Sequence, residues 1–480
     1  MLTRRNLIFS ATAFTVAASP SFAEAPAPTV LKLRRRQIEV NGKAASVLGI
    51  EQSDGVRGLT THVGSRFHVR VENELNEPSL VHWHGLTPPW REDGVAFVSG
   101  PPIPPGDKAD YDFPLTFSGT YWMHAHYGLQ EQALMDAPLI ILQPGRDEDR
   151  QEIVVTLNDF SFTPAREIFA SLKGRGKAQG AARPQAKTMG GKPMSGMRMG
   201  RDGAMQQPAA APDLNDVKYD AFLANERTLG DPEIVKVENS GRVRLRIINA
   251  SAMTAFHVDL GALEGTLVAV DGHDALPIQG RRFPIATAQR LDILLDLPRG
   301  AEAFPILFVV EGEKRRTGVI LTPPGASVGR VADMASEATA PLGLTLEAQL
   351  RAAWPLAERK ADRVLAIELT GDMASYVWSI NNVVWNEKTP PFEIAAGERV
   401  ELVMTNRTMM SHPMHLHGHV FQVVEIDGRR FSGAMRDTVL VPPKARIVVA
   451  FNADNPGLWA FHCHLLYHAQ AGMFSTIRYV

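Results

Sequence analysis

Three stretches of the chain share one pattern of apolar and polar positions: RFHVRVEN (66–73), RVRLRIIN (242–249) and RVELVMTN (399–406). Each runs from Arg to Asn with apolar residues largely alternating, which is the mark of a half-buried strand. The repeats start 176 and then 157 residues apart. A second matched pair, GTYWMHAH (119–126) and GLWAFHCH (457–464), carries Gly, an aromatic segment and then His-x-His at equal offsets. Intervals this long indicate repeated domains, not solenoid units, and short strands broken by Gly and Pro turns predict β-sandwiches. The pattern therefore predicts an all-β chain with three related domains, over 30–145, 146–325 and 356–480. Residues 326–355 are less patterned and are expected to form a linker with a short helix.

Two segments leave this rhythm. Residues 1–23 begin basic, continue apolar and small, and end in Ser21-Phe22-Ala23, the layout of a cleavable signal peptide. The adjacent Arg4 and Arg5 resemble a twin-arginine signal, which predicts export to the periplasm by the twin-arginine translocase; a plain secretory leader is the other reading. From 173 to 213 the chain is rich in Gly, Ala, Pro, Lys and Arg and has no aromatic residue. Such a composition buries no core and predicts a disordered insertion in the second domain. It carries Met189, Met194, Met197, Met199 and Met205, an unusual place for a residue that ordinarily fills cores.

Net charge is −2, which argues against a general nucleic-acid binder, and no apolar run reaches the length of a membrane span. Cys463 is the only cysteine, so it makes no internal disulfide and is either a buried inert thiol or a ligand. Ten of the 15 histidines fall in four clusters: HWH (82–84), HAH (124–126), HPMHLH (412–417) and HCHLLYH (462–468). Residues two apart on a strand share a face roughly 6–7 Å apart, so each H-x-H can present two imidazoles to one metal cluster. In HCH, His462 and His464 face one way and Cys463 the other, so one strand can serve two sites. Cys463, His468 and Met473, with His412 from a neighbouring strand, make the ligand set of a blue-copper electron-transfer centre. Zinc is the rival metal, but a zinc site has no use for the further histidine pairs. The clusters occur in the first and third domains, which places the shared site at their interface and leaves the second domain as a spacer or docking surface.

On HWHG (82–85), HAH (124–126), HPMHLHGH (412–419) and HCHLLYHAQAGM (462–473) the chain resembles the three-domain multicopper oxidases, built from cupredoxin-like Greek-key β-sandwiches. The leader, GLQEQ (128–132) and the methionine-bearing insertion make it most similar to bacterial periplasmic copper-resistance oxidases and laccase-like enzymes. The resemblance implies four copper ions. Cys463, His412, His468 and Met473 would hold type 1 copper, and His82 and His415 type 2. His84, His124 and His464 would hold one type 3 copper, and His126, His417 and His462 the other. Electrons would pass from Cys463 to its neighbours His462 and His464, and O2 would be reduced to water. The donor is expected to be Cu(I), collected by the loop methionines; the alternative is a phenol docking beside His468 or His412, as in laccases. A non-catalytic copper-binding or scaffold protein is disfavoured because no ligand is missing. The family also has an acid nine residues after HWH, here Asp93, as proton relay or anchor; an ordinary turn acid is the plain reading. Ala469 stands where some copper oxidases have an acid, so proton delivery would fall to Asp93, Glu131 or water. Asp437 either fixes a ligand imidazole or simply ends a strand. A monomer is expected.

Overall fold

The computed structural model describes residues 27–146, 149–181 and 214–480. Each of the three repeated stretches forms a strand with the bounds read from the pattern: Arg66–Asn73, Arg242–Asn249 and Arg399–Asn406. Each also occupies the same place in its sheet. Arg66–Asn73 pairs parallel with Thr29–Val40 and antiparallel with Lys108–Pro114. Arg242–Asn249 does so with Gln151–Phe160 and Arg290–Asp296, and Arg399–Asn406 with Arg363–Asp372 and Arg446–Asn452.

The closing Asn does one job three times. Asn73, Asn249 and Asn406 accept the N–H two residues on, at 3.0, 3.2 and 2.8 Å. Their amides donate to the carbonyls of Ile103, Ile285 and Val441. An Asx turn thus ends each strand while the amide ties it across the sandwich.

Six sheets make three two-sheet sandwiches, an all-β fold. Alternating burial holds on Arg66–Asn73, but Arg242–Asn249 is buried along nearly all its length. The reason is that Arg244 and Arg246 do not face water. Both bond Asp292, and Arg246 also reaches Thr120 of the first sandwich at 2.8 Å. Apolar contacts join the sandwiches too: Trp122 with Ile248 and Ala288, and Val95 and Val98 with Ala460 and Phe474. One continuous core runs through the second and third sandwiches. A short helix, Thr345–Gln349, lies between them, and its Glu347 accepts Arg436 Nε at 3.1 Å.

One expectation is corrected. The insertion does not start unstructured at 173, because a helix, Ala165–Ala181, runs into it. Ile168 and Leu172 are buried, and Lys173 donates to Tyr376 O at 2.9 Å, so the first turns are anchored despite the glycines that follow. The five methionines lie outside the described residues, as does the leader.

Candidate metal centre

Two strand pairs bring the histidines together. Val81–His84 lies antiparallel to Gly119–Ala125 with His82 opposite His124. His412–Leu416 lies antiparallel to Leu458–Cys463 with His415 opposite His462 and Met414 opposite Cys463. Alternation sends His412 and Cys463 to one side of the second pair and His415, His417 and His462 to the other, so two sites form.

In the first site Cys463 Sγ lies 3.6 Å from His412 Nδ1, and His412 Nδ1 lies 3.2 Å from His468 Nδ1. The opposite ring nitrogens are engaged. His412 Nε2 lies 2.7 Å from Thr408 Oγ1, and that hydroxyl has Asn406 Oδ1 as its own acceptor. His468 Nε2 lies 2.9 Å from Asp216 Oδ2. The ring protons therefore sit on Nε2, and two Nδ1 lone pairs face each other beside a thiol. All three groups are buried and within 4.8 Å of one another. Met473 is buried beside them; its N–H donates to His468 O and its carbonyl accepts Cys463 N–H, both at 3.0 Å. Trp378 stacks on His468 at 4.0 Å. Burial pushes the Cys463 thiol well above its usual range, so metal binding there must displace a proton.

The second site gathers eight histidines between the first and third sandwiches. His417 Nε2 is 3.0 Å, and His126 Nε2 3.3 Å, from His462 Nε2. His82 Nε2 is 3.5 Å from His415 Nε2. Their Nδ1 atoms are held elsewhere: His417 by Asp93 Oδ2 at 2.9 Å, His462 by Cys463 O at 2.9 Å and His415 by Asp437 O at 2.9 Å. His82 Nδ1 lies 2.8 Å from Asp93 O and 3.2 Å from its Oδ1; the carbonyl takes the proton, since the carboxylate oxygen is misaligned. Asp93 is fully buried and so braces two imidazoles at once.

The remaining trio, His84, His124 and His464, completes the site. His124 Nδ1 is 2.9 Å from Glu131 Oε2, and His464 Nδ1 is 3.8 Å from Glu131 Oε1. His84 Nε2 is 3.0 Å from Asp437 Oδ1. In these three rings the buried nitrogens left without a partner are His84 Nδ1, His124 Nε2 and His464 Nε2. Trp122 stacks on His124 at 4.3 Å and touches the other two rings.

Burial, with neighbouring imidazoles, holds His124, His126, His415, His417 and His464 well below the usual imidazole range, and Arg290 adds to the effect at His84. Neutral rings are what a metal needs. Converging lone pairs at 3.0–3.5 Å repel unless a cation lies among them, and orphaned buried nitrogens are costly otherwise. The donor sets thus fit metal: nitrogen and thiolate in one, imidazoles in the other.

Two features carry no signal in the sequence. Asp216, on His468, stands in the segment Leu214–Tyr219 after the insertion, and the middle sandwich thereby reaches the first site. Arg290, on Asp437, reaches the second. A pure spacer role for that domain is therefore corrected. Both contacts join residues 147 or more apart, so no local pattern carries them. Asp437 does touch a cluster imidazole, and so does Glu131, which burial, then Asp136 and Asp159, push well above the usual carboxyl range. His419 bonds His417 O and the Tyr479 hydroxyl and joins neither cluster.

Comparison with known proteins agrees with this geometry. Family models described as multicopper oxidase match residues 32–146, 151–321 and 359–479. The multicopper oxidase MmcO of Mycobacterium tuberculosis is 30% identical over 464 residues, covering 92% of this chain and 85% of that one. Copper resistance protein A of Escherichia coli is 27% identical, covering 86% of each. A laccase from Botrytis aclada shares the fold, with a TM-score of 0.73 at 20% identity over 94% of this chain and 88% of that one. With three matching models in tandem and a relative aligned along nearly its full length, the chain belongs to the multicopper oxidases, oxidoreductases that work with copper.

Proposed function

We propose that the protein oxidises Cu(I) to Cu(II) in the periplasm and uses four of the electrons to reduce O2 to two waters. On this reading Cys463, His412, His468 and Met473 hold type 1 copper, and His82 and His415 hold type 2. His84, His124 and His464 hold one type 3 copper, and His126, His417 and His462 the other. Bound copper supplies the one-electron couple and the centre at which O2 is reduced. The observation that carries the reading is the pair of convergent donor sets joined by three consecutive residues. Cys463 belongs to one set, while His462 and His464 belong to the other. A few covalent bonds therefore separate electron entry from the O2 site.

Asp93 is assigned to hold His82 and His417 and to pass protons, and Glu131 is the second buried acid on the cluster. Cu(I) as donor is supported by the name of the relative copper resistance protein A and by the thioethers of the insertion. Met409 adds a thioether at the surface, 67% exposed, next to the Thr408 that touches His412. Soft sulfur favours Cu(I). Export rests on the leader with its Arg4-Arg5 pair, and the working form is taken as a monomer.

The test is steady-state O2 uptake by the copper-loaded enzyme with Cu(I) or a phenol. Cu(I) is expected to give the higher kcat/KM. A phenol that is turned over better moves the assignment to a laccase-like oxidase. Changing the five insertion methionines to leucine should raise KM for Cu(I) and leave phenol oxidation unchanged. An unchanged Cu(I) KM removes the collector role.

A further inference from the structure

Arg290 belongs to the middle sandwich, which contributes none of the clustered histidines. It is completely buried, yet each of its five N–H groups has an acceptor. Nε donates to Thr120 O at 3.1 Å. Nη1 donates to Ala288 O at 3.1 Å and to Asp437 Oδ1 at 2.8 Å. Nη2 donates to Asp271 O at 2.9 Å and to Asp437 Oδ2. These acceptors come from all three sandwiches. A guanidinium satisfied at every donor has one orientation, and its fork fixes the plane of the carboxylate it grips.

The gripped carboxylate in turn reads a histidine. Asp437 Oδ1 accepts the Thr438 hydroxyl at 2.8 Å and lies 3.0 Å from His84 Nε2. A carboxylate paired with a guanidinium only accepts, so the proton of the neutral His84 ring is on Nε2. Nδ1 is then the lone pair, and it is the buried ring atom left without a partner. His84 differs in this from its neighbours: His82, His124, His415, His417 and His462 engage Nδ1 and keep Nε2 for the cluster. The backbone is shaped around the ion pair as well. Gly85 has φ +90°, and a Cβ there would lie 2.5 Å from Arg290 Nη2 and 2.8 Å from Asp437 Oδ2. The Gly that follows His84 therefore leaves room for the pair.

We infer that Arg290 is a positioning residue of the histidine cluster: by fixing Asp437 it sets the ring orientation and tautomer of His84. The middle domain, without a ligand of its own, thereby governs one type 3 ligand. The inference rests on the reading of His84 as a copper ligand.

The test uses full-length Arg290→Lys, which keeps the charge and loses the fork. In the copper-free protein, long-range 15N–1H NMR of labelled histidines reports the His84 tautomer, with His84→Ala identifying the signal. The parent should show Nε2–H, and the variant a shift of the proton toward Nδ1. Copper titration should show cluster copper bound roughly 10–100-fold more weakly, with the type 1 absorption unchanged. A merely structural role would lower both copper sites together. If Arg290→Lys does not fold, the double variant Arg290→Met/Asp437→Leu decides, since it leaves neither charge buried alone; it should show the same two changes. A folded variant with the parental tautomer and parental cluster affinity overturns the inference. A His84→Ala protein that still loads its full copper overturns the ligand reading beneath it instead.

Discussion

Cys463 has no substitute anywhere in the 480 residues. Cys463→Ser should abolish the intense visible thiolate-to-copper absorption while cluster copper stays partly bound, as read by the spectrum and by copper per chain. A band of parental intensity in that variant contradicts the type 1 assignment. Asp93→Asn should slow reoxidation by O2 roughly 10–100-fold with the rate of type 1 reduction unchanged, in stopped-flow traces of each half-reaction. Bleaching of the blue band would instead make Asp93 purely structural. The candidate ligands were legible at this scale because alternation along a strand converts spacing into direction. The groups that orient them were less so. Asp216 reaches His468 across 252 residues, and nothing in its neighbours' sequence announces it.

At the level of the strand, the thrice-repeated Arg-to-Asn pattern specifies three equivalent elements, but not the task of its final residue. That task depends on partners supplied by other loops, such as Val441 for Asn406. The third copy carries more than its siblings. Asn406 Oδ1 accepts both the N–H and the hydroxyl of Thr408, which touches His412. Asn406→Ala and Asn73→Ala should each cost about 1–3 kcal/mol through unpaired buried groups, measured by denaturant unfolding. Asn406→Ala alone should also shift the type 1 absorption, and equal spectra would remove the link from strand end to site. The helix Ala165–Ala181 is hidden in the sequence for a different reason. Its anchoring face is short, and glycines further along mask it in the composition.

Across the whole molecule, burial of the clusters sets how the copper-free protein responds to acid. Ten buried or half-buried histidines have pKa values depressed below 6.5, those of His273, His419 and His462 to about 4. Below pH 6.5 the unfolded chain therefore binds more protons at these sites, and stability falls as pH drops. Four buried carboxyls and the half-buried Glu311 act oppositely, since Glu131, Asp136, Asp159, Asp271 and Glu311 have raised values. The histidines outnumber them, each contributing up to about 1.4 kcal/mol per pH unit. The Tm of copper-free protein should fall steeply from pH 7 to pH 5, and that of copper-loaded protein much less; a flat copper-free profile contradicts the depressed values. The three-domain plan was legible from long repeats, whereas the contacts between domains were not. Buried arginines such as Arg244 and Arg246 look, in sequence, like the outer face of a strand.

The distance along the chain between partners in the histidine cluster also sets a clock. His126 and His462 meet across 336 residues, which takes on the order of half a minute to synthesise at the usual rate of about 5–20 residues per second. A ribosome-bound chain that has emerged only through its second domain holds four of the clustered histidines and no thiol. Neither donor set can close on it. The growing polypeptide is therefore unable to assemble a redox-active centre until the strand Leu458–Cys463 has been made and docked.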